Sequence, residues 1–168
     1  PPFSAPNHSQ RDDLLRYGRR LSYNDWEIGI HGYNHNSLCL KGQMNFTDYG
    51  YNPWPSSSDM VMSLRKLKYI MNDLYGRFPI YTYVPPSNII QKEGKEAVKK
   101  VFPNLKVIAG LYTGAEEPGT ALQELGPDPD IPGLYNFPRF SSGYQYKLSE
   151  LWAIHNAIAQ IGCVNHFI

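Results

Sequence analysis

The stretch Trp26-Glu27-Ile28-Gly29-Ile30-His31-Gly32-Tyr33-Asn34-His35 runs an alternating apolar segment straight into two histidines four residues apart. Trp26, Ile28 and Ile30 alternate with Glu27 and Gly29, which is the period of a strand. His31 and His35 then fall where the strand gives way to a loop or a first helical turn. In a helical turn this spacing sets two side chains on one face, roughly 5–6 Å apart at Cβ. Two neutral imidazoles held so can close on one divalent metal at about 2.0–2.1 Å each. Gly32 lets the backbone bend between them. Two ligands do not complete a site, and histidines of this kind are often structural or exposed. The strand-to-loop context favours a site, because sites in α/β folds gather at the carboxyl ends of strands.

Outward from this stretch, helices and strands alternate. A helix is expected from Ser9 to Leu21, with Ser9 and Asp12 as a capping box and Leu14, Leu15 and Leu21 on its apolar face. After the histidines comes a long Gly/Pro/aromatic loop, roughly 36 to 55. The clearest helix covers Ser58 to Tyr75, with Met60, Leu64, Leu67, Met71 and Leu74 as a core stripe, a cap at Ser57 or Ser58, and a stop at Gly76. Pro79–Val84 reads as a strand stopped by Pro85-Pro86. A helix from Gln91 to Phe102 follows, and its lysine run reads as a solvated face. Leu105–Gly110 is a third strand, followed by a loop to about Gly133 and a short strand over Leu134–Phe137. A helix over Leu148–Ile161, closed by Gly162, leads into a last strand at Cys163–Ile168. The alternation predicts an α/β fold with parallel strands, either a barrel or an open sheet, in one domain spanning 1–168.

Composition bounds the function. The 168 residues carry a formal net charge of +1, which argues against general attraction to nucleic acid or membrane. No run is apolar enough to span a bilayer and no amino-terminal signal pattern is present. The chain opens on Pro1-Pro2-Phe3 and is expected to be a fragment of a larger protein. Thirteen tyrosines, fourteen prolines and fourteen glycines point to long structured loops and amphipathic aromatic faces. Cys39 and Cys163 make no disulfide framework. Cys39 is conceivable as a thiolate ligand, but a buried free thiol is the default. The polar residues of interest follow strands: His31 and His35, then Pro85 to Asn88, then Arg139.

The segment Glu27-Ile28-Gly29-Ile30-His31-Gly32-Tyr33-Asn34-His35 resembles the His-x-x-x-His motif of the polysaccharide deacetylases, carbohydrate esterase family four with a NodB-like fold. Tyr83-Val84-Pro85-Pro86-Ser87-Asn88 resembles that family's Pro-Pro loop, and Val164-Asn165-His166-Phe167-Ile168 its last, histidine-bearing strand. The resemblance implies a distorted (β/α) barrel, incomplete at its first strand. It implies a divalent metal on His31 and His35, zinc first, with cobalt, nickel or iron as alternatives. It further implies groove walls from Tyr83, Pro85, Pro86 and Asn88, and a role for His166 as catalytic acid; Arg139, past a strand end, is a candidate for a carboxylate or substrate contact. The implied activity is removal of N- or O-linked acetyl groups from a polysaccharide or other glycan by metal-activated water, in an extracytoplasmic or cell-envelope setting. The family's aspartate-bearing first strand has no counterpart here and is expected upstream of Pro1, since Asp12-Asp13 falls in a helix as a solvated pair. Val84 stands where the family has an arginine.

Other assignments are weaker. His8 could face the same mouth, and His155 lies mid-helix. An inactive carbohydrate-binding relative is the main alternative. An amidohydrolase-like barrel would need a His-x-His pair, which is absent. A glycoside hydrolase would need two facing carboxylates, for which Glu116 and Glu117 are a thin basis.

Overall fold

The computed structural model describes residues 8–24, 26–42, 52–110, 123–142 and 147–167. Four helices and two small sheets are built from them. Helix α1 (His8–Tyr23) precedes the histidine stretch, and α2 (Ser57–Tyr75) follows it. Strand β1 (Thr82–Tyr83) leads through a 3₁₀ turn at Pro86–Asn88 into α3 (Lys92–Val101). Strands β2 (Val107–Ile108), β3 (Gly126–Pro127), β4 (Tyr135–Asn136) and β5 (Ser141–Ser142) come next. Helix α4 (Leu148–Ile161) and strand β6 (His166–Phe167) complete the order.

The main sheet runs β1-β2-β4-β3. β1 and β2 pair in parallel, as do β2 and β4, while β3 is antiparallel to β4. Ile30 extends the sheet on the far side of β1 through a parallel bridge to Tyr83. Its amide donates to the Thr82 carbonyl at 3.1 Å, and its own carbonyl accepts from the Val84 amide at 2.9 Å. The strand expected over Trp26–Ile30 thus pairs only at Ile30. A second sheet joins β5 and β6 in parallel. The expected distorted barrel is not closed among the described residues; they form an open mixed sheet.

Helix α2 is as its period predicts, with Met60, Leu64 and Leu67 buried. The cap is Ser56, one residue before the two serines expected to serve. Its Oγ accepts from the Asp59 amide at 3.2 Å and donates to Asp59 Oδ2 at 2.7 Å, so the cap is held by the acid of the first turn. The core lies between α2, α3 and the sheet and includes Ile30, Tyr83, Ile90, Val98, Leu105 and Ile108. Gly94 lets α3 ride against the bridge between Leu38 and Ile90. A Cβ at Gly94 would collide with the Leu38 carbonyl oxygen and lie 2.8 Å from Leu38 Cβ. Gly94→Ala is therefore expected to lower stability by about 1–3 kcal/mol despite alanine's better helix propensity, read as an earlier urea midpoint.

Two expectations are corrected by the packing. Lys95 does not belong to a solvated lysine face; it is 2% exposed. Its Nζ lies 2.7 Å from Asp128 Oδ2 and 3.1 Å from Asp130 Oδ2. The loop after β2 contains β3, which no periodicity announced. The apolar residues of α4 do not pack inward: Leu148, Leu151, Trp152, Ile158 and Ile161 are exposed, and only Ala157 is buried. Residues 43–51 of the first long loop and 111–122 of the second, including Glu116 and Glu117, lie outside the described residues.

Candidate functional site

Parallel pairing brings the carboxyl ends of the Ile30 segment, β1, β2 and β4 to one edge of the sheet. His31 follows Ile30, Val84 to Asn88 follow β1, Ala109 follows β2, and Arg139 lies beyond β4. The ladder continues into these residues. Ala109 N donates to Tyr83 O at 2.9 Å, and Arg139 N donates to Gly110 O at 3.2 Å. A cavity of about 340 Å³ opens here, and His31, Asn88, Arg139, Asn165 and His166 are among its lining residues. Four residues singled out in the sequence, His31, Asn88, Arg139 and His166, therefore share one cavity.

The histidine pair sits in a turn, not a helix. Gly32, Asn34 and His35 have φ of 78°, 54° and 54°. Glycine is needed at 32, because a Cβ there would come within 2.9 Å of Pro86 Cγ on a left-handed backbone. The turn nevertheless holds the two rings with centroids 4.9 Å apart, at 67° to one another. His31 Nδ1 lies 2.8 Å from the Val84 carbonyl oxygen. A carbonyl can only accept, so Nδ1 carries the proton and Nε2 is left with its lone pair. Burial lowers the His31 pKa; the Val84 hydrogen bond opposes this and the nearby His35 adds to it. The net shift is downward, so the ring is neutral at pH 7. A neutral imidazole whose Nδ1–H is anchored on a backbone carbonyl is the form in which histidine binds metal. A divalent ion at this pair would take His31 through Nε2. Among the described residues no group of three or more His, Cys, Asp or Glu is gathered for one ion.

The other candidate residues fall into two groups. Asn88 lines the cavity from a left-handed backbone (φ 64°), next to Ser87 (φ 57°). His166 Nδ1 is hydrogen-bonded to Ser141 Oγ at 2.8 Å, joining β6 to β5 and fixing the ring. By contrast, Tyr83, Pro85 and Pro86 are fully buried and cannot be groove walls. The alternation that marked Tyr83 as strand also pointed its ring into the core. Burial, with the Cys39 side chain adding, pushes its phenol well above the usual range. Pro86 packs against Gly32 of the histidine turn, and Pro85 against Gly110 after β2.

Cys39 is a buried free thiol, pushed up to about 12 by burial and by the charge of Glu93, and among the described residues it joins no group of three metal-ligating side chains. His155 is exposed on α4, and Asp12 and Asp13 are exposed on α1. His8 opens α1, but its side chain lies outside the described residues.

Two features of the site went unmarked in the sequence. Asn165 lines the cavity and donates from Nδ2 to the Phe137 carbonyl at 2.7 Å, tying the second sheet to the end of β4. Its place beside His166 on a strand was the available signal. The second is a larger cleft of about 860 Å³, which begins at His31 and His35 and runs between α1 and α2. Nothing local announces it, since it depends on where α1 crosses α2.

Among the described residues no helix is long and apolar enough to cross a membrane. No curated protein and no solved structure matches this chain. The resemblance to polysaccharide deacetylases is overturned, because the matching family model is a different one, of uncharacterised proteins conserved in bacteria, and it covers residues 1–168. The physical reason is the brevity of the motifs: two histidines and a Pro-Pro pair specify local chemistry, which unrelated chains can share. The chain belongs to the DUF2194 family, whose model describes uncharacterised proteins conserved in bacteria.

Proposed function

We propose that this chain is a metal-dependent hydrolase that removes acyl groups, acetyl in the simplest case, from N- or O-positions of a glycan. The observation that carries this reading is the His31 Nδ1–H anchored on the Val84 carbonyl, with the His35 ring 4.9 Å away. That arrangement fixes the tautomer and presents Nε2 as a donor, while burial favours the neutral ring. The chemistry a divalent ion supplies when bound is an acidified water and a polarised acyl carbonyl; zinc is the first choice, with cobalt, nickel or iron as alternatives. His31 and His35 would hold it.

The remaining roles belong to side chains on the same cavity. His166, its ring held by Ser141, would protonate the leaving amine or alcohol as the C–N or C–O bond breaks. Arg139 and the amides of Asn88 and Asn165 offer donors to substrate oxygens, which suits a hydroxyl-rich ligand. A second reading, glycan binding without hydrolysis, is favoured by one observation: among the described residues no carboxylate joins the two histidines.

Metal content and acetate release separate the readings. The purified chain, dialysed against zinc, cobalt, nickel or ferrous salts at neutral pH, is expected to retain about one ion per chain. It is then expected to release acetate from acetylated oligosaccharides. Retention of no ion would end the hydrolase reading. Glycan binding with a bound ion but no acetate would leave the binding reading in its place.

A further inference from the structure

His166 meets the cavity with one ring nitrogen already engaged. Its Nδ1 lies 2.8 Å from Ser141 Oγ. Ser141 is 5% exposed and is not among the residues that line the cavity. The two residues are register partners in the parallel ladder of β5 and β6, so backbone pairing sets them side by side on one face. Two further bonds brace the same segments. Phe140 N donates to the Asn165 carbonyl at 3.0 Å, and Asn165 Nδ2 donates to the Phe137 carbonyl at 2.7 Å. The two imidazoles of the cavity differ in the partner of Nδ1. A carbonyl only accepts, so His31 Nδ1 carries its proton and Nε2 of the neutral ring is bare. A serine hydroxyl both donates and accepts, and its hydrogen rotates to suit. The Ser141 bond therefore persists whether His166 Nδ1 is bare or protonated.

We infer that Ser141 is a positioning residue for His166: it holds Nδ1, and so leaves Nε2 as the nitrogen that meets a ligand in every protonation state of the ring. As an imidazolium, His166 donates Nδ1–H to Ser141 and keeps Nε2–H for the leaving group. When the C–N or C–O bond breaks, the departing nitrogen or oxygen takes the bonding electron pair and the Nε2 proton. The ring becomes neutral, and its Nδ1–H bond to Oγ is unchanged; a proton from solvent restores the imidazolium. No ring flip is needed, so the orientation at the reacting centre is kept throughout. The two imidazoles thus have different duties. His31 offers an electron pair, and His166 handles the proton. His31 and Arg139 are the other titratable or charged side chains lining this cavity. The inference rests on the hydrolase reading for the bond that breaks, but not for which nitrogen faces the cavity.

The test uses the full, zinc-loaded chain and two substrates. An acetylated oligosaccharide needs its leaving group protonated, whereas p-nitrophenyl acetate expels a stable phenolate that needs no acid. Ser141→Ala is expected to lower kcat on the oligosaccharide by about tenfold or more, with KM held within about twofold, and to slow the nitrophenyl ester by less than about twofold. Ser141→Thr restores the hydroxyl and should recover the wild-type rate. Ser141→Val has the shape of threonine without the hydroxyl and should not. In proton–nitrogen correlation spectra, the His166 Nδ1 resonance should move in Ser141→Ala and Ser141→Val and stay near its wild-type position in Ser141→Thr. An equal effect on both substrates, or Ser141→Thr no better than Ser141→Val, would overturn the inference. If the wild type cleaves neither substrate, the hydrolase reading falls and the spectra decide alone. An Nδ1 resonance unmoved in Ser141→Ala then removes the role of Ser141, and a shift reversed in Ser141→Thr keeps it.

Discussion

Lys95→Met is expected to destabilise the fold by about 3–5 kcal/mol, the usual cost of removing one partner from a buried ion pair. The Lys95 side chain is 2% exposed and that of Asp128 is 0% exposed, with 2.7 Å between Nζ and Oδ2. Asp128 also accepts from the amides of Asp130 and Ile131 through Oδ1, at 3.0 and 2.9 Å. Methionine keeps the length of the stem but leaves this carboxylate buried without a counter-ion. For a chain of this size the loss corresponds to a fall in Tm of roughly 6–20 °C. Adding Asp128→Asn removes the orphaned charge and keeps an oxygen for the two amides, so the double variant should recover much of the loss. A double variant no better than Lys95→Met would show that the charge is not the cause.

Acid should act on the same group. Burial raises the Asp128 pKa, but the Lys95 hydrogen bond, the two amides and the Lys95 charge outweigh it, and the carboxyl ends below its ordinary value of 3.8. A carboxylate depressed in the folded state contributes stability above its unfolded pKa. That contribution is lost as the pH falls from about 3.8 through the lower folded value. The wild type should lose stability in that window, and the double variant should lose less of it.

His31→Ala is expected to carry the largest functional effect. Altering only the groups that orient a ligand typically costs 10–100-fold in metal affinity or activity. Deleting one of two imidazoles should therefore reduce retained metal and acyl release by on the order of a hundredfold or more. The fold should survive, because the lost hydrogen bond to Val84 contributes only about 0.5–1.5 kcal/mol. His155→Ala, at an exposed position on α4, serves as the matched control and should change neither quantity. Full metal retention by His31→Ala would show that the pair is not a ligand set.

Helices were the legible part of this fold. The period of Met60, Leu64 and Leu67 places α2 within a residue of its observed start, and Gly162 fixes the end of α4. Strands were legible as extended segments but not in extent. Alternation reports which side chains are buried, whereas each ladder here holds only two residues per strand. Gly126–Pro127 carries no period, so β3 was invisible. Lys95 was misread because charge in a sequence signals solvent, and its partner Asp128 lies 33 residues away, in the segment after β3. The site was partly legible for a topological reason. Polar residues just past parallel strands must converge, and His31, Asn88, Arg139 and His166 do. Tyr83, Pro85 and Pro86 sit in the same stretch but point beneath it, and only packing separates the two cases. The family was not legible, because short ligand motifs are shared more widely than folds.

Val84 has a consequence beyond its modest side chain. Its amide pairs with Ile30, and its carbonyl holds the His31 ring. One peptide segment therefore belongs both to the sheet and to the imidazole. A one-residue slip of Ile30 against β1 would withdraw that acceptor and free the ring to change tautomer. The Nδ1 resonance of His31, which reports whether that bond is made, becomes a spectroscopic gauge of strand register. The readiness of the site can then be followed by watching a single nitrogen.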